Sequence, residues 1–146
     1  MPSSFINFEK QGFWIKDPIM EVAAAYIYVC MDTTEETEDW LIEMKDLIRM
    51  NALGYYASYM HFSLDDYLIN DDRKNKFLSI IDKTIAFLKS KSSELDVQEL
   101  NAFIPDDEGK DVWKGKTETS RILNVIEYLR ALITQSLEAD SVMPYF

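Results

Sequence analysis

Residues 17–31 read DPIMEVAAAYIYVCM and include the longest apolar run of the chain. Asp17 followed by Pro18 is a favourable helix start, because the acid can cap the first turn and proline needs no N–H there. The apolar side chains between Val22 and Val29 would cover nearly the whole circumference of such a helix. The sequence therefore predicts a buried helix at the centre of the fold.

Further helical patterns follow this segment. Thr33 and Glu36 have the spacing of a capping box and introduce an amphipathic helix that is expected to end at Gly54. Another helix is predicted from Asp71 or Asp72 onward, since apolar residues recur there at steps of three and four.

The C-terminal half predicts two more helices. Ser93 to Ile104 has the pattern of a shorter helix closed by Pro105, and Thr117 is expected to cap the last helix. Between them lies a polar loop in which Trp113 is expected to act as an apolar anchor.

The first sixteen residues are too apolar for a free tail, so they are expected to pack as an arm against the helices. Only four glycines and four prolines interrupt the chain, and no convincing strand pair is visible. These features predict a single all-α domain over residues 1–146, a bundle of five or six helices with an N-terminal apolar arm over residues 1–16.

The charge is strongly negative. The chain has 26 acidic and 15 basic residues, a net charge of −11, and residues 1–73 hold 14 of the acids but only 5 of the bases. Nucleic-acid binding is disfavoured, because phosphates are bound by clustered lysine and arginine. A basic protein partner is favoured by charge complementarity, although acidity that merely maintains solubility explains the same composition.

The compartment is expected to be the cytoplasm. Cys30 is the single cysteine, so no internal disulfide framework can form. The N-terminal residues lack the basic and apolar regions of a secretory signal, and the longest apolar run is about half of what a bilayer requires. No membrane association is predicted.

Residues 55–72, YYASYMHFSLDDYLINDD, collect four tyrosines, four aspartates and the single histidine of the chain. Tyrosine is frequent at interface hot spots, and neighbouring carboxylates suit a basic partner. About half of these rings are expected to lie in the core instead. Within the stretch, Ser63 and Asp66 have capping-box spacing. The predicted partner-binding residues here are Tyr59, His61, Asp65, Asp66, Tyr67, Asp71 and Asp72.

The predicted second helix offers another acidic face. Its residues Glu35, Glu36, Glu38 and Asp39 are assigned to the same partner-binding role. A solvated helix surface is the alternative interpretation of this charge run.

Catalytic and metal chemistry find little support. The stretch 109–117 ends in GKT but has five residues between its glycines, where a phosphate-binding loop has four. His61 has no second histidine or nearby cysteine with which to bind zinc, and Cys30 would be the only thiol available to it. We therefore predict no enzyme activity, no catalytic residue, no metal and no cofactor. A purely carboxylate magnesium site and an acid–base carboxylate pair stay open.

The segment GFWIKDPIMEVAAAYIYV, residues 12–29, resembles the N-terminal region of immunity proteins from bacterial contact-dependent inhibition and polymorphic toxin systems. The small size, acidity and absence of a catalytic motif are similar to those proteins as well. The resemblance implies one-to-one binding of a cognate toxin domain, often a nuclease, whose active site or substrate groove is blocked.

Two alternatives remain at this point. One is a different interaction module, such as a regulatory adaptor or a homodimerising subunit. The other is a metal-dependent hydrolase that uses the aspartates of residues 65–72. The oligomeric state is not predicted.

Overall fold

The computed structural model describes residues 3–32, 38–104, 106 and 108–137. Its elements, in chain order, are β1 Ser3–Phe8, β2 Gln11–Lys16, α1 Asp17–Asp32, α2 Asp39–Ala52, α3 Leu64–Tyr67, α4 Asp71–Lys89, β3 Glu94–Asp96, a 3-10 helix Val97–Ala102, β4 Lys116–Glu118 and α5 Thr119–Ile133. The strands form two antiparallel pairs, β1 with β2 and β3 with β4. The fold is mixed α/β, so the predicted all-α class is wrong.

The predicted N-terminal arm is a β-hairpin. Phe8 lies opposite Gln11 across a two-residue turn, and alternate side chains of both strands face the helices. The arm does pack on them, since the rings of Phe13 and Tyr128 of α5 lie 5.9 Å apart. The buried inward side chains are Ser4, Ile6, Phe8, Phe13 and Ile15. Phe5 and Trp14 are apolar although they lie on the outward face, so apolar and polar residues do not alternate along the sequence. For this reason the strands were not predicted.

Helix α1 confirms the prediction for residues 17–31 and is the central element. It contacts α2, α4, α5, the 3-10 helix and β2. Ala23, Ala24 and Ala25 are fully buried, and their small side chains let neighbouring helices pack closely against α1. Helices α1, α2, α4 and α5 thus enclose a core that the hairpin closes at the end where α1 begins.

The other predicted helices are partly confirmed. Helix α4 begins at Asp71 as expected, with the Asn70 side chain accepting a hydrogen bond from the Arg73 N–H at 2.9 Å. Helix α2 ends shortly before Gly54, whose φ of +87° suits glycine. The predicted capping box of Thr33 and Glu36 lies outside the described residues.

The helix predicted over residues 93–104 is only partly correct, since it is a 3-10 helix limited to Val97–Ala102. Residues 94–96 form β3, the 3-10 helix follows, and Thr117 lies in β4 opposite Leu95 rather than at a helix cap. Strands of three residues are too short to leave a periodic signal in the sequence. Trp113 is buried as predicted, and its backbone N–H donates to the Asn101 side chain at 2.9 Å.

Candidate protein-interaction site

Asp17 is fully buried and joins three parts of the chain. Its Oδ1 accepts a hydrogen bond from Ser4 Oγ at 2.6 Å, and its Oδ2 accepts one from the Ser58 N–H. Ser4 Oγ in turn accepts a hydrogen bond from the Met60 N–H at 2.9 Å. Ser4 lies on β1, whereas Ser58 and Met60 lie on the loop 53–63. The buried side chains of Ser4 and Asp17 therefore fix this loop beside the hairpin.

Asn51 holds the end of the same loop. Its buried side-chain amide donates to His61 O at 2.7 Å and to Leu47 O at 2.8 Å, and its Oδ1 accepts from the His61 N–H at 3.2 Å. Both backbone groups of His61 are therefore paired with one buried residue. The imidazole remains exposed, with Nδ1 3.2 Å from Ser63 Oγ.

The short helix α3 is fastened to the hairpin turn. Asp65 Oδ1 accepts a hydrogen bond from the Glu9 N–H at 2.8 Å, while the Glu9 side chain pairs with Lys74 Nζ at 3.2 Å. The predicted capping box of Ser63 and Asp66 is wrong. Ser63 has a left-handed backbone, φ 49°, whereas a capping residue needs an extended one, and its side chain makes no cap hydrogen bond.

A cleft of about 300 Å³ separates β1 from the segment that leads into α3. One wall is formed by residues 5–7 of β1 and the other by residues 61–66. We call it the β1 cleft. Of the predicted partner-binding residues, it brings together His61, Asp65 and Asp66, and the side chains of all three are exposed.

The tyrosines of the quoted stretch divide between surface and core. Tyr55 and Tyr59 are exposed, the latter by 63%, whereas Tyr56 and Tyr67 pack partly against the core. The Tyr56 ring lies 5.7 Å from the ring of Tyr59 and 4.7 Å from that of His61. Tyr59 therefore belongs to an aromatic group beside the β1 cleft.

The hairpin adds aromatic residues that the sequence did not assign to the site. Phe5 and Trp14 are 41% and 42% exposed, and their rings lie 5.3 Å apart on the outward face. The Phe5 ring leans over β2, where a Cβ at Gly12 would lie 2.4 Å from Phe5 Cζ. The only sequence signal for the two strands that carry these rings is the spacing of two between Ile6 and Phe8 and between Phe13 and Ile15.

The carboxylates of Asp65 and Asp66 give the β1 cleft its negative charge. Within the described ranges, no lysine or arginine forms an ion pair with Asp65 or Asp66. Burial raises the pKa of the neighbouring Tyr67 hydroxyl, and the charges of Glu43 and Asp66 raise it further. The region around α3 therefore presents a negative potential to a partner.

The remaining predicted acids lie elsewhere. Asp71 and Asp72 occupy the first turn of α4, and neither lines the β1 cleft. Lys76 lies 3.5 Å from Asp72 and also bonds Glu38, whose pKa is lowered by the hydrogen bonds from Lys76 and Trp40. Asp39 is exposed at the start of α2. Glu35 and Glu36 lie outside the described residues.

Other chemical groupings are sparse. In the part of the chain that the structure describes, no three His, Cys, Asp or Glu side chains are grouped so as to hold a metal ion. Cys30 is buried, burial raises the pKa of its thiol, and it lies about 20 Å along α1 from Asp17. In the stretch 109–117, Gly115 O accepts a hydrogen bond from the Val97 N–H and β4 follows at once, so no helix directly follows the glycines.

Comparison of the chain with protein-family models, curated proteins and solved structures finds no significant match. None of the described helices is both long and apolar enough to cross a membrane.

Proposed function

We propose that this chain is an immunity protein that binds a basic, nuclease-type toxin domain and neutralises it by covering the active site or the substrate groove. The observation that carries the proposal is the β1 cleft, where Asp65 and Asp66 form no ion pair with any described lysine or arginine and lie beside exposed aromatic rings. The sequence resemblance over residues 12–29 supports the immunity role.

Charge supports a basic partner. At −11 the chain attracts positively charged surfaces, and complementary fields speed encounter and reject wrong partners. An enzyme that cleaves nucleic acid presents a basic groove, since it must hold phosphates. The carboxylates of Asp65 and Asp66 would occupy that groove as phosphates do.

The exposed rings support a protein surface as the target. Tyr59, Phe5 and Trp14 offer large contact areas at a small entropic cost, and such rings dominate binding energy at interfaces. In this proposal the protein acts in the cytoplasm, where the buried thiol of Cys30 stays reduced.

The test is a growth experiment with the neighbouring genes. Each adjacent open reading frame is expressed from an inducible promoter, with and without this chain. We expect one product to stop growth alone and growth to return when the chain is present. A matched strain carries the Asp65→Lys, Asp66→Lys variant, which should not restore growth. If no neighbouring product is toxic, or if toxicity persists with the chain present, the proposal is wrong.

A further inference from the structure

The free edge of β1 opens into the β1 cleft. The two-residue turn makes Phe8 and Gln11 a hydrogen-bonded pair, and bonded and non-bonded pairs alternate along an antiparallel hairpin. By this alternation, the backbone N–H and C=O groups of Phe5 and Asn7 point away from β2. Both residues line the cleft.

These backbone groups have no partner within the described residues. Among the residues that the structure describes, no hydrogen bond from outside the hairpin reaches the backbone of Phe5 or Asn7. The loop 53–63 is held by the side chains of Ser4 and Asp17 instead of by a strand ladder. The Phe5 ring leans toward Gly12 and so leaves the free edge uncovered. An unpaired strand edge of this kind accepts an added strand.

The opposite wall selects the charge of the added strand. One carboxylate oxygen of Asp65 accepts the hydrogen bond from the Glu9 N–H. Among the described residues, its other oxygen and the carboxylate of Asp66 have no cation beside them and can meet one from a partner. In an extended segment paired with β1, every second side chain points to the same face of the sheet, so alternate lysines or arginines would lie along one side of the segment, where their long side chains can reach these acids. A second copy of this chain is disfavoured, because it would bring two acidic walls together.

We infer that the free edge of β1 binds an extended, basic segment of the partner protein as a third strand, with a lysine or arginine against Asp65 and Asp66. The basic partner rests on the proposed function. The inference adds that the partner is bound at the free edge of β1 through backbone hydrogen bonds.

The test uses two synthetic hexapeptides and the ¹⁵N-labelled full chain in solution NMR. One peptide alternates valine with lysine, acetyl-VKVKVK-amide, and the control replaces lysine with glutamate. At saturating lysine peptide, we expect amide hydrogen exchange at Phe5 and Asn7 to slow about tenfold or more. Exchange at Ile6 and Phe8 should barely change, since these amides already bond to β2. The glutamate peptide should have no effect.

Two variants separate the backbone from the charge. Asn7→Pro removes an edge donor at a position where proline is tolerated in strands, and Asn7→Thr is the control that keeps the N–H. Peptide affinity should fall about fivefold or more with proline and stay within twofold with threonine. Should proline disturb the hairpin in circular dichroism, Asp66→Lys tests the charge, with exposed Asp111→Lys as its control.

Three results would overturn the inference. One is unchanged exchange at Phe5 and Asn7 in saturating lysine peptide, and another is an equal response to both peptides. The third is protection of these amides that rises with protein concentration alone, which would assign the edge to a second copy. The peptide experiment does not involve the toxin. If the peptides fail to bind but the chain restores growth, strand addition at the free edge of β1 is wrong and the proposed function is unaffected.

Discussion

Ser4 Oγ donates a hydrogen bond to Asp17 Oδ1 over 2.6 Å, and both side chains are buried. The same hydroxyl accepts from the Met60 N–H, so one serine joins β1, the start of α1 and the loop 53–63. The walls of the β1 cleft therefore depend on this buried contact. Its removal should affect stability and the geometry of the site together.

Replacing Ser4 with alanine should lower the free energy of unfolding by about 1–3 kcal/mol, because the Met60 N–H and Asp17 Oδ1 lose a partner in a buried place. Urea denaturation measures this change. Ser3→Ala is the matched control, since Ser3 is exposed on the same strand, and it should change stability by less than about 0.5 kcal/mol. Equal effects of the two substitutions would contradict the assigned role of Ser4.

Glu21 should make stability depend on pH. Burial, followed by the nearby charge of Asp17, raises the pKa of this carboxyl to about 7. Its carboxylate faces Gly54, with both oxygens 3.9 Å from where a Cβ would lie. The folded protein therefore binds a proton that the unfolded chain releases near pH 4.5. The stability contributed by the protonated Glu21 carboxyl is fully present below pH 4.5 and is lost as the pH rises through about 7.

The measurement compares wild type with Glu21→Gln by urea denaturation at pH 5 and pH 8. The stability of wild type relative to the variant should fall by roughly 1–2 kcal/mol between these values, after allowance for partial exposure. Glu127→Gln, an exposed position on α5, removes the same charge and should show no such trend. A difference between wild type and Glu21→Gln that is independent of pH would refute this account.

Asn51 should be as costly to remove as Ser4. Alanine at this position leaves the N–H and C=O of His61 without their buried partner, so stability should fall by about 2–3 kcal/mol. The NMR signals of residues 58–63 should also shift. Asn124→Ala on the exposed face of α5 is the control and should change neither quantity. Unchanged loop signals in Asn51→Ala would show that the amide does not position His61.

Much of the helical fold could be predicted, because periodicity and end signals agreed. The apolar run of α1 and the start of α4 at Asp71 follow directly from the sequence. The hairpin could not be predicted, since its outward positions also carry large apolar rings. Its turn, Glu9-Lys10, lacks glycine and asparagine, and Glu9 itself adopts a φ of +54°. The hairpin is stabilised by its tertiary packing on α1 and α5, because the local sequence has little propensity for it.

The candidate site was predicted only in part. His61, Asp65 and Asp66 could be named because unusual side chains cluster in the sequence. The other wall could not, since Phe5 and Asn7 lie more than fifty residues away and meet them only through the fold. Asp71 and Asp72 were grouped with them by sequence distance alone, whereas the start of α4 directs them elsewhere.

Tyr59 should contribute to binding without contributing to stability. Its ring is 63% exposed, so Tyr59→Ala should change the free energy of unfolding by less than about 0.5 kcal/mol. Affinity for the toxin domain found by growth rescue should fall about thirtyfold, as expected for an aromatic hot spot. Phe103→Ala replaces an exposed ring after the 3-10 helix and should leave affinity unchanged. Equal affinities for Tyr59→Ala and wild type would exclude this ring from the interface.

The most direct test of the central claim is a calorimetric titration of that toxin domain with Asp65→Lys, Asp66→Lys protein at two salt concentrations. We expect affinity to fall at least about a hundredfold and its salt dependence to weaken, because the acids of the β1 cleft meet basic groups. The control Asp111→Lys, Glu127→Lys, with the same charge change at exposed positions, should stay within about threefold of wild type. Wild-type affinity and salt dependence in the Asp65→Lys, Asp66→Lys protein would contradict the claim that this cleft binds the partner.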